Sequence, residues 1–481
     1  MIVVSAKAGF SLTFVGVSLL LMPLRAAADP QEGPPPNAVK AAKKGTSKKG
    51  ASKKGAAGES DASLKQPRKW NEVRLPNASQ PSVRMGEWLR VDFRVRLMHD
   101  FRAFDPELSG DQGETSNLRQ LRVGLRGYVT KDIEFEVERE IRNEVSELLR
   151  LRTNPTSTLW RDVFVNYRRL RRFQIRAGQF KIPFGADQLH STASNDFAFR
   201  SLIGSFLAPG RDIGVMAHGK LFKQRLEYQA GVFKHDGHRI RQADNSPSGE
   251  RTWAGRLVTV PFGWVKPPRF LGSLKDLELG AAFTGSTVPE GLRSPRGRTW
   301  FGTHNYFPRV NVQGQRLRTG VDLDWTPGPF SLRGEVIRVR DERLGQSLRG
   351  GDLPNLISRG WYLSGSWVLT GEDKDRRVIP RHNFGWAGGR FGFGAIEIAA
   401  RGEQIRFGSA EHIGPPSRST RAVNLVSASE RATTFGVNWY LNRRVKVVFN
   451  GVRERIEDRE KTPIVGIQTY WSKYVRIQFT L

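Results

Sequence analysis

The 481-residue sequence contains no cysteine, which excludes disulfides, thiolate metal sites and cysteine nucleophiles. It also lacks long apolar runs. Beyond a short stretch at the amino end, nothing approaches the roughly 18 continuous apolar residues that a membrane-spanning helix needs. If the chain crosses a bilayer, it does so as strands. Acidic residues are scarce beside basic ones, 47 against 77, and most of the net charge of +30 lies beyond residue 70. Such a balance suits anionic partners, whether small solutes, nucleic acid or acidic surface polymers. Histidine is sparse too, with eight in all, so His235-Asp236-Gly237-His238 reads as a polar loop and no metal or cofactor is expected.

Catalytic signatures are missing in the same way. No Gly-x-Ser-x-Gly elbow occurs. Gly214 to Leu221 nearly spells a phosphate-binding loop, but Leu221 stands where Ser or Thr must reach magnesium, and the stretch alternates like a strand. Glu134 and Glu136 share one strand face with nothing to mark a cleft. No enzyme is expected.

What the sequence does contain is alternation. Leu89, Val91, Phe93, Val95 and Leu97 interleave with Arg90, Asp92, Arg94 and Arg96, giving one apolar and one charged face. The pattern recurs near 88–98, 118–129, 132–141, 160–169, 172–181, 212–221, 225–234, 251–261, 275–285, 316–326, 330–340, 359–370, 392–403, 431–441, 444–455 and 472–481. These sixteen segments predict an all-β, antiparallel transmembrane barrel enclosing an aqueous channel. The last segment places Val475, Ile477, Phe479 and Leu481 on one side, as a strand that seals a barrel against its first strand should. Connections alternate between short turns such as Thr130-Lys131 and Asn442-Arg443 and long loops such as 182–211, with a long, charged and glycine-rich exception at 371–391. Trp367, Trp439, Tyr440, Trp471 and Tyr474 are expected among interfacial aromatics.

Three regions are expected. Residues 1–28, with Lys7, an apolar run from Ala8 to Leu24 and Ala26-Ala27-Ala28, read as a secretory signal peptide. Residues 29–84, with Pro34-Pro35-Pro36 and the repeat Lys43-Lys44-Gly45, Lys48-Lys49-Gly50, Lys53-Lys54-Gly55, offer no apolar face and are expected to stay disordered in the periplasm. Residues 85–481 form the barrel in the outer membrane.

Several motifs carry a resemblance. Arg176-Ala177-Gly178-Gln179-Phe180-Lys181-Ile182-Pro183-Phe184-Gly185 is followed in order by Ala208-Pro209-Gly210-Arg211-Asp212-Ile213-Gly214-Val215, by Trp361 to Glu372, and by Phe435 to Asn442. Together they resemble the bacterial phosphate-selective porin O and P family, over about residues 85 to 481. The resemblance implies a sixteen-stranded outer-membrane barrel, usually a homotrimer, admitting phosphate or polyphosphate through a basic lumen. It also implies a loop after Phe184-Gly185 that folds inward as a constriction. The sequence departs from the family at its end, where Leu481 replaces the usual terminal aromatic, and in its Lys-rich tether.

Arginine suits phosphate because its planar fork offers two parallel hydrogen bonds and stays charged. Alternation turns Arg94, Arg96, Arg122, Arg126 and Arg176 toward the lumen, with Lys220 on the polar face of the sixth strand. Lys181 ends the fifth strand, Arg200 and Arg211 belong to the constriction loop, and Arg239 and Arg241 lead into a strand carrying Arg251 and Arg256. These are the candidate anion-binding residues. Several weak stations favour conduction, since a conducted ion must leave as well as bind. The plainer possibility is that the strand arginines neutralise lumen carboxylates such as Glu134, Glu136, Glu138, Asp322 and Glu335.

Passive diffusion of inorganic phosphate or other small anions is the leading functional expectation, with outer-membrane lipid as the surrounding partner. A structural barrel tied by its lysine repeat to an anionic periplasmic polymer is the alternative. A nucleic-acid binder is disfavoured because no aromatics alternate with lysine as stacking platforms.

Overall fold

A computed structural model describes residues 72–74, 81–104, 114–141, 160–237, 251–264, 269–290, 294–300, 304–374, 377–387, 389–409, 421 and 425–481. The expected signal peptide and the Lys-rich repeat lie outside the described residues. Two short strands, β1 (Glu72–Arg74) and β2 (Ser82–Met85), fall within the stretch expected to stay disordered to residue 84, so ordered chain begins earlier than composition suggests. The reason is local: Val83 alternates with Ser82 and Arg84 just as the following strand does, and the turn at residues 86–88 lets β2 pair back onto it.

Sixteen antiparallel strands close into a barrel. In order these are β3 (Leu89–Phe104), β4 (Glu114–Val129), β5 (Ile133–Glu140), β6 (Trp160–Leu170), β7 (Phe173–Lys181), β8 (Arg211–Leu221), β9 (Leu226–Phe233), β10 (Thr252–Thr259), β11 (Glu278–Val288), β12 (Gly314–Trp325), β13 (Phe330–Arg343) and β14 (Leu353–Val368). After a small hairpin of β15 (Gly385–Ala387) and β16 (Arg390–Gly392) come β17 (Ala395–Ser409), β18 (Ala428–Tyr440), β19 (Val445–Ile456) and β20 (Thr469–Thr480). Every predicted strand is present. Closure is made by β20 on β3, from Ser472 opposite Phe104 to Thr480 opposite Arg96, and Leu481 N–H donates to Val95 O at 2.8 Å. Below that point β2 covers the edge of β3, pairing Ser82 with Asp92 and Met85 with Leu89.

The two-residue period sorts side chains by solvent. Phe93, Val123, Leu125, Ile213, Val215, Leu257, Phe283, Val321, Val336, Leu363, Phe435, Val437, Phe449 and Ile477 are exposed and point outward, as a lipid-facing surface requires. Trp367 and Trp471 join them. Tyr440 and Tyr474, expected among the interfacial aromatics, instead point inward: Tyr440 Oη donates to Glu397 at 2.7 Å and Tyr474 Oη to Asp100 at 2.7 Å. Tyr440 lies one residue after outward Trp439 and Tyr474 three after outward Trp471, so the period of two turns both inward and overrides aromatic preference.

The inner face is not uniformly polar. At the loop end, Ile337, Val339, Leu356, Ile405, Phe407, Val452 and Ile456 face inward and are fully buried. They receive residues 182–210 and, from the connection between β11 and β12, residues 294–300 and 304–312, whose Phe184, Leu202, Ile203, Leu207, Tyr306, Phe307 and Val310 complete one apolar cluster. Each fully buried Leu, Ile, Val or Phe contributes about 1.5–3 kcal/mol. Strand alternation alone anticipates a wet lumen, yet part of it is a packed core.

Candidate functional site

The candidate site is where residues 182–210 enter the barrel between β7 and β8. The segment turns at Gly185, whose φ of 80° would strain a side chain. It then forms two single-turn helices, α1 (Ala186–Leu189) and α2 (Leu202–Phe206). The amides of Ala186 and Asp187 donate to the Glu335 carboxylate of β13 at 2.9 and 3.2 Å, so a wall side chain satisfies the helix start. Asp187 Oδ2 accepts from the Ser201 amide and hydroxyl at 2.8 and 2.9 Å, and Ser201 Oγ accepts from Gly204 N–H to begin α2.

Between the helices, wall side chains take the backbone groups that a buried segment must satisfy. Leu202 N–H donates to Glu403, Asn450 accepts from Ala198 N–H at 2.8 Å, and Asn438 donates to Asp196 O at 2.8 Å. Lys446 donates to Asn195 O at 2.7 Å, Gln478 to Ala193 O at 2.8 Å, and Arg401 to Phe199 O at 3.2 Å. The inward fold expected after Phe184-Gly185 is thus present and held from β13 round to β20.

Charges fall into two arrangements. Along β3 to β5, arginines and glutamates cancel: Arg122 donates to Glu138 and Glu140 at 3.0 and 2.9 Å, Arg94 pairs with Glu136, and Arg126 pairs with Glu134. Arg256 meets Asp322 through two bonds of 2.6 and 2.8 Å. Arg318 makes the same bidentate contact with Asp236 at 2.5 and 2.7 Å, and Arg316 adds a further bond to it. Burial alone would raise the Asp236 carboxyl, but Arg318 and Arg316 outweigh it and hold it well below the usual range.

The second arrangement is an excess of cation at the root of the segment. Lys181 donates to the Leu189 and His190 carbonyls, both at 2.9 Å, and lies in the field of Arg200, Arg211 and Arg96. Arg96 reaches Thr192 at 3.0 Å and Ser191 at 3.3 Å, both neutral hydroxyls. Arg200 donates to His190 O at 2.7 Å with Asp187 4.0 Å away, and Arg211 is bidentate to Asp162 at 3.1 and 2.6 Å. Arg176 stacks on Phe164, its guanidinium carbon 4.3 Å from the ring centre.

The structure therefore brings together Arg96, Lys181, Arg200 and Arg211, with Arg122 beside them. It sets Arg94, Arg126 and Arg256 against carboxylates, Lys220 3.2 Å from Glu227, and Arg251 at the exposed start of β10. Arg239 and Arg241 lie outside the described residues. Sequence reasoning missed Lys374, which enters the lumen from the 371–391 connection to pair with Asp196 and Glu397. It also missed Arg476, which binds Asp100 at 2.6 and 2.9 Å, although the polar face of the last strand displays it.

A closed sixteen-stranded barrel with a lipid-facing exterior, a charged interior and an inward loop defines an outer-membrane porin, a channel by architecture. The family model for phosphate-selective porin O and P matches residues 91–469, and the chain belongs to that family. No curated protein matches the chain. Among solved structures, it is similar to an anion-selective porin from Comamonas acidovorans at 13% identity and a TM-score of 0.50, covering 82% of this chain and 100% of that one. A loop L8 deletion mutant of OmpT, an outer membrane protein of Vibrio cholerae, gives 10% identity and a TM-score of 0.50, covering 82% and 99%. At these identities the likeness concerns the fold.

Proposed function

We propose that this porin passes small anions, inorganic phosphate among them, by diffusion past the root of the inward segment, and that it does so as a homotrimer. The observation that carries the reading is the meeting of Arg96, Lys181, Arg200 and Arg211, where among the described residues Arg211 pairs with Asp162, Arg200 lies 4.0 Å from Asp187 and Glu138 adds a counter-charge to Arg96, so that cations outnumber the carboxylates facing them. Elsewhere on β3 to β5 the lumen charges cancel and give a passing ion little net field. Here they do not. An anion about 4 Å from one uncompensated cation gains roughly 4 kcal/mol at the dielectric of a protein–water boundary, enough to concentrate it and weak enough to release it. The anion-selective porin from Comamonas acidovorans supports the same reading by fold alone.

Reconstitution into planar lipid tests it. In a chloride gradient the reversal potential takes the anion-selective sign, and added phosphate reduces the chloride current. Lys181→Gln, which removes a cation hydrogen-bonded to two backbone carbonyls, shifts the reversal potential toward cations. A cation-selective wild-type channel overturns the assignment. Cross-linking in detergent reads the trimer.

A further inference from the structure

The connection between β14 and β17 carries a hairpin that the channel does not use. Trp386 pairs with Phe391 across β15 and β16, and the rings of Phe384, Trp386, Phe391 and Phe393 form a chain of edge contacts with centroids 5.1 to 5.5 Å apart. The cluster is open to solvent: Trp386 is 78% exposed and Phe393 68%. Four contiguous aromatics left bare in this way mark a surface that something apolar covers.

Two features identify the cover. The cluster is continuous with the lipid-facing wall, because Phe384 lies edge-on to Trp439 at 5.0 Å, and Trp439 shares the outward face of β18 with Phe435 and Val437. Trp439 Nε1 donates to Phe393 O at 2.7 Å and Phe384 N–H to Leu441 O at 2.6 Å, so the hairpin is fixed to the barrel rim. The second feature is charge. Residues 371–394 hold five Lys or Arg against three Asp or Glu; Lys374 and Glu372 are buried, Arg381, Arg390 and Asp373 are exposed, and Arg443 of the next turn is exposed as well. Exposed aromatic rings on a connection with a surplus of arginine match the boundary between acyl chains and anionic head groups.

We propose that the β15–β16 hairpin is a membrane-interface anchor, seating Trp386 and Phe393 among the head groups of an anionic phospholipid leaflet at the turn end of the barrel. This rests on the outer-membrane location and not on the anion reading. Because the chain has no cysteine, a nitroxide can be placed cleanly at Trp386→Cys, with Phe393→Cys as a second position should the first fail to fold and Val465→Cys, 76% exposed in a loop at the other end, as reference. In vesicles of phosphatidylethanolamine and phosphatidylglycerol, the hairpin label is expected to collide readily with oxygen and to lose collisions with a water-soluble nickel chelate relative to residue 465. A label as open to nickel as residue 465 overturns the proposal. So does one shielded from both quenchers, which would show protein covering the hairpin.

Discussion

Lys374 and Asp196 stand 178 residues apart in the chain and form a buried ion pair inside the barrel, with Glu397 accepting from the same ammonium. The pair joins the connection at the turn end to the middle of the segment entering from the loop end, so the inward segment is gripped from both sides of the membrane.

Removing one partner of such a pair leaves a buried charge without compensation, which costs about 3–5 kcal/mol. Lys374→Met is therefore expected to lower the temperature at which the compact barrel band converts to the unfolded band on gels. It should also increase open-channel current fluctuations, because among the described residues the ion pair left to Asp196 is the longer one with Arg333, at 3.4 Å.

The same pair sets a pH limit. Burial alone would raise the Asp196 carboxyl, but Lys374 and then Arg333 outweigh it and hold it well below the ordinary range. A carboxyl lowered in the folded state contributes fully above its unfolded value near 3.9 and loses that contribution as pH falls through its lower folded value. The stability difference between wild type and Asp196→Asn is accordingly expected to stay constant from pH 7 to 5 and to shrink only below about pH 4. Thermal melts across that range check it; a difference already lost by pH 5 contradicts the ion-pair account.

Gly178 lies in β7 with φ of 129°, and a Cβ there would come within 2.3 Å of Val163 O. Gly178→Ala is expected to cost about 1–3 kcal/mol through backbone strain, measured as a lower urea midpoint for the folded barrel. The cost falls on β6–β7 pairing, beside the cation cluster, so reduced anion selectivity should accompany it.

Phe435 faces lipid near the middle of β18. Phe435→Arg is expected to destabilise the barrel by about 2–4 kcal/mol in bilayers. Urea titration in lipid vesicles reads this directly. An unchanged midpoint would place β18 in the wrong register.

The strand alternation made the barrel legible, because a side-chain period of two survives any tertiary context that has lipid on one side and water on the other. Arg94, Arg122 and Arg126 could be assigned to the lumen from that period. Their cancellation by Glu134, Glu136, Glu138 and Glu140 could be suspected but not resolved, since pairing depends on register between neighbouring strands. The cation cluster needed more: Lys181, Arg200 and Arg96 come from three separate stretches and converge only because residues 182–210 fold inward. Lys374 lies in a connection that reads as charged and glycine-rich, but nothing in that pattern points its side chain into the lumen. Ile405 and Phe407 fall past the end of the predicted 392–403 segment, and nothing in the strand text says that a loop, and not water, fills the space beside them.

The lateral edge of β3 is divided between the two ends of the chain, with β2 covering Leu89 to Asp92 and β20 covering Arg96 to Phe104. The lower part is zipped by a neighbour only a few residues away and can form as soon as that stretch emerges. The upper part must wait for a strand synthesised last, whose partners lie nearly the whole polypeptide away, and such distant pairings are slow to find. During that wait β2 already covers Leu89 to Asp92, which shortens the open edge of β3 that a stray strand from another copy could capture.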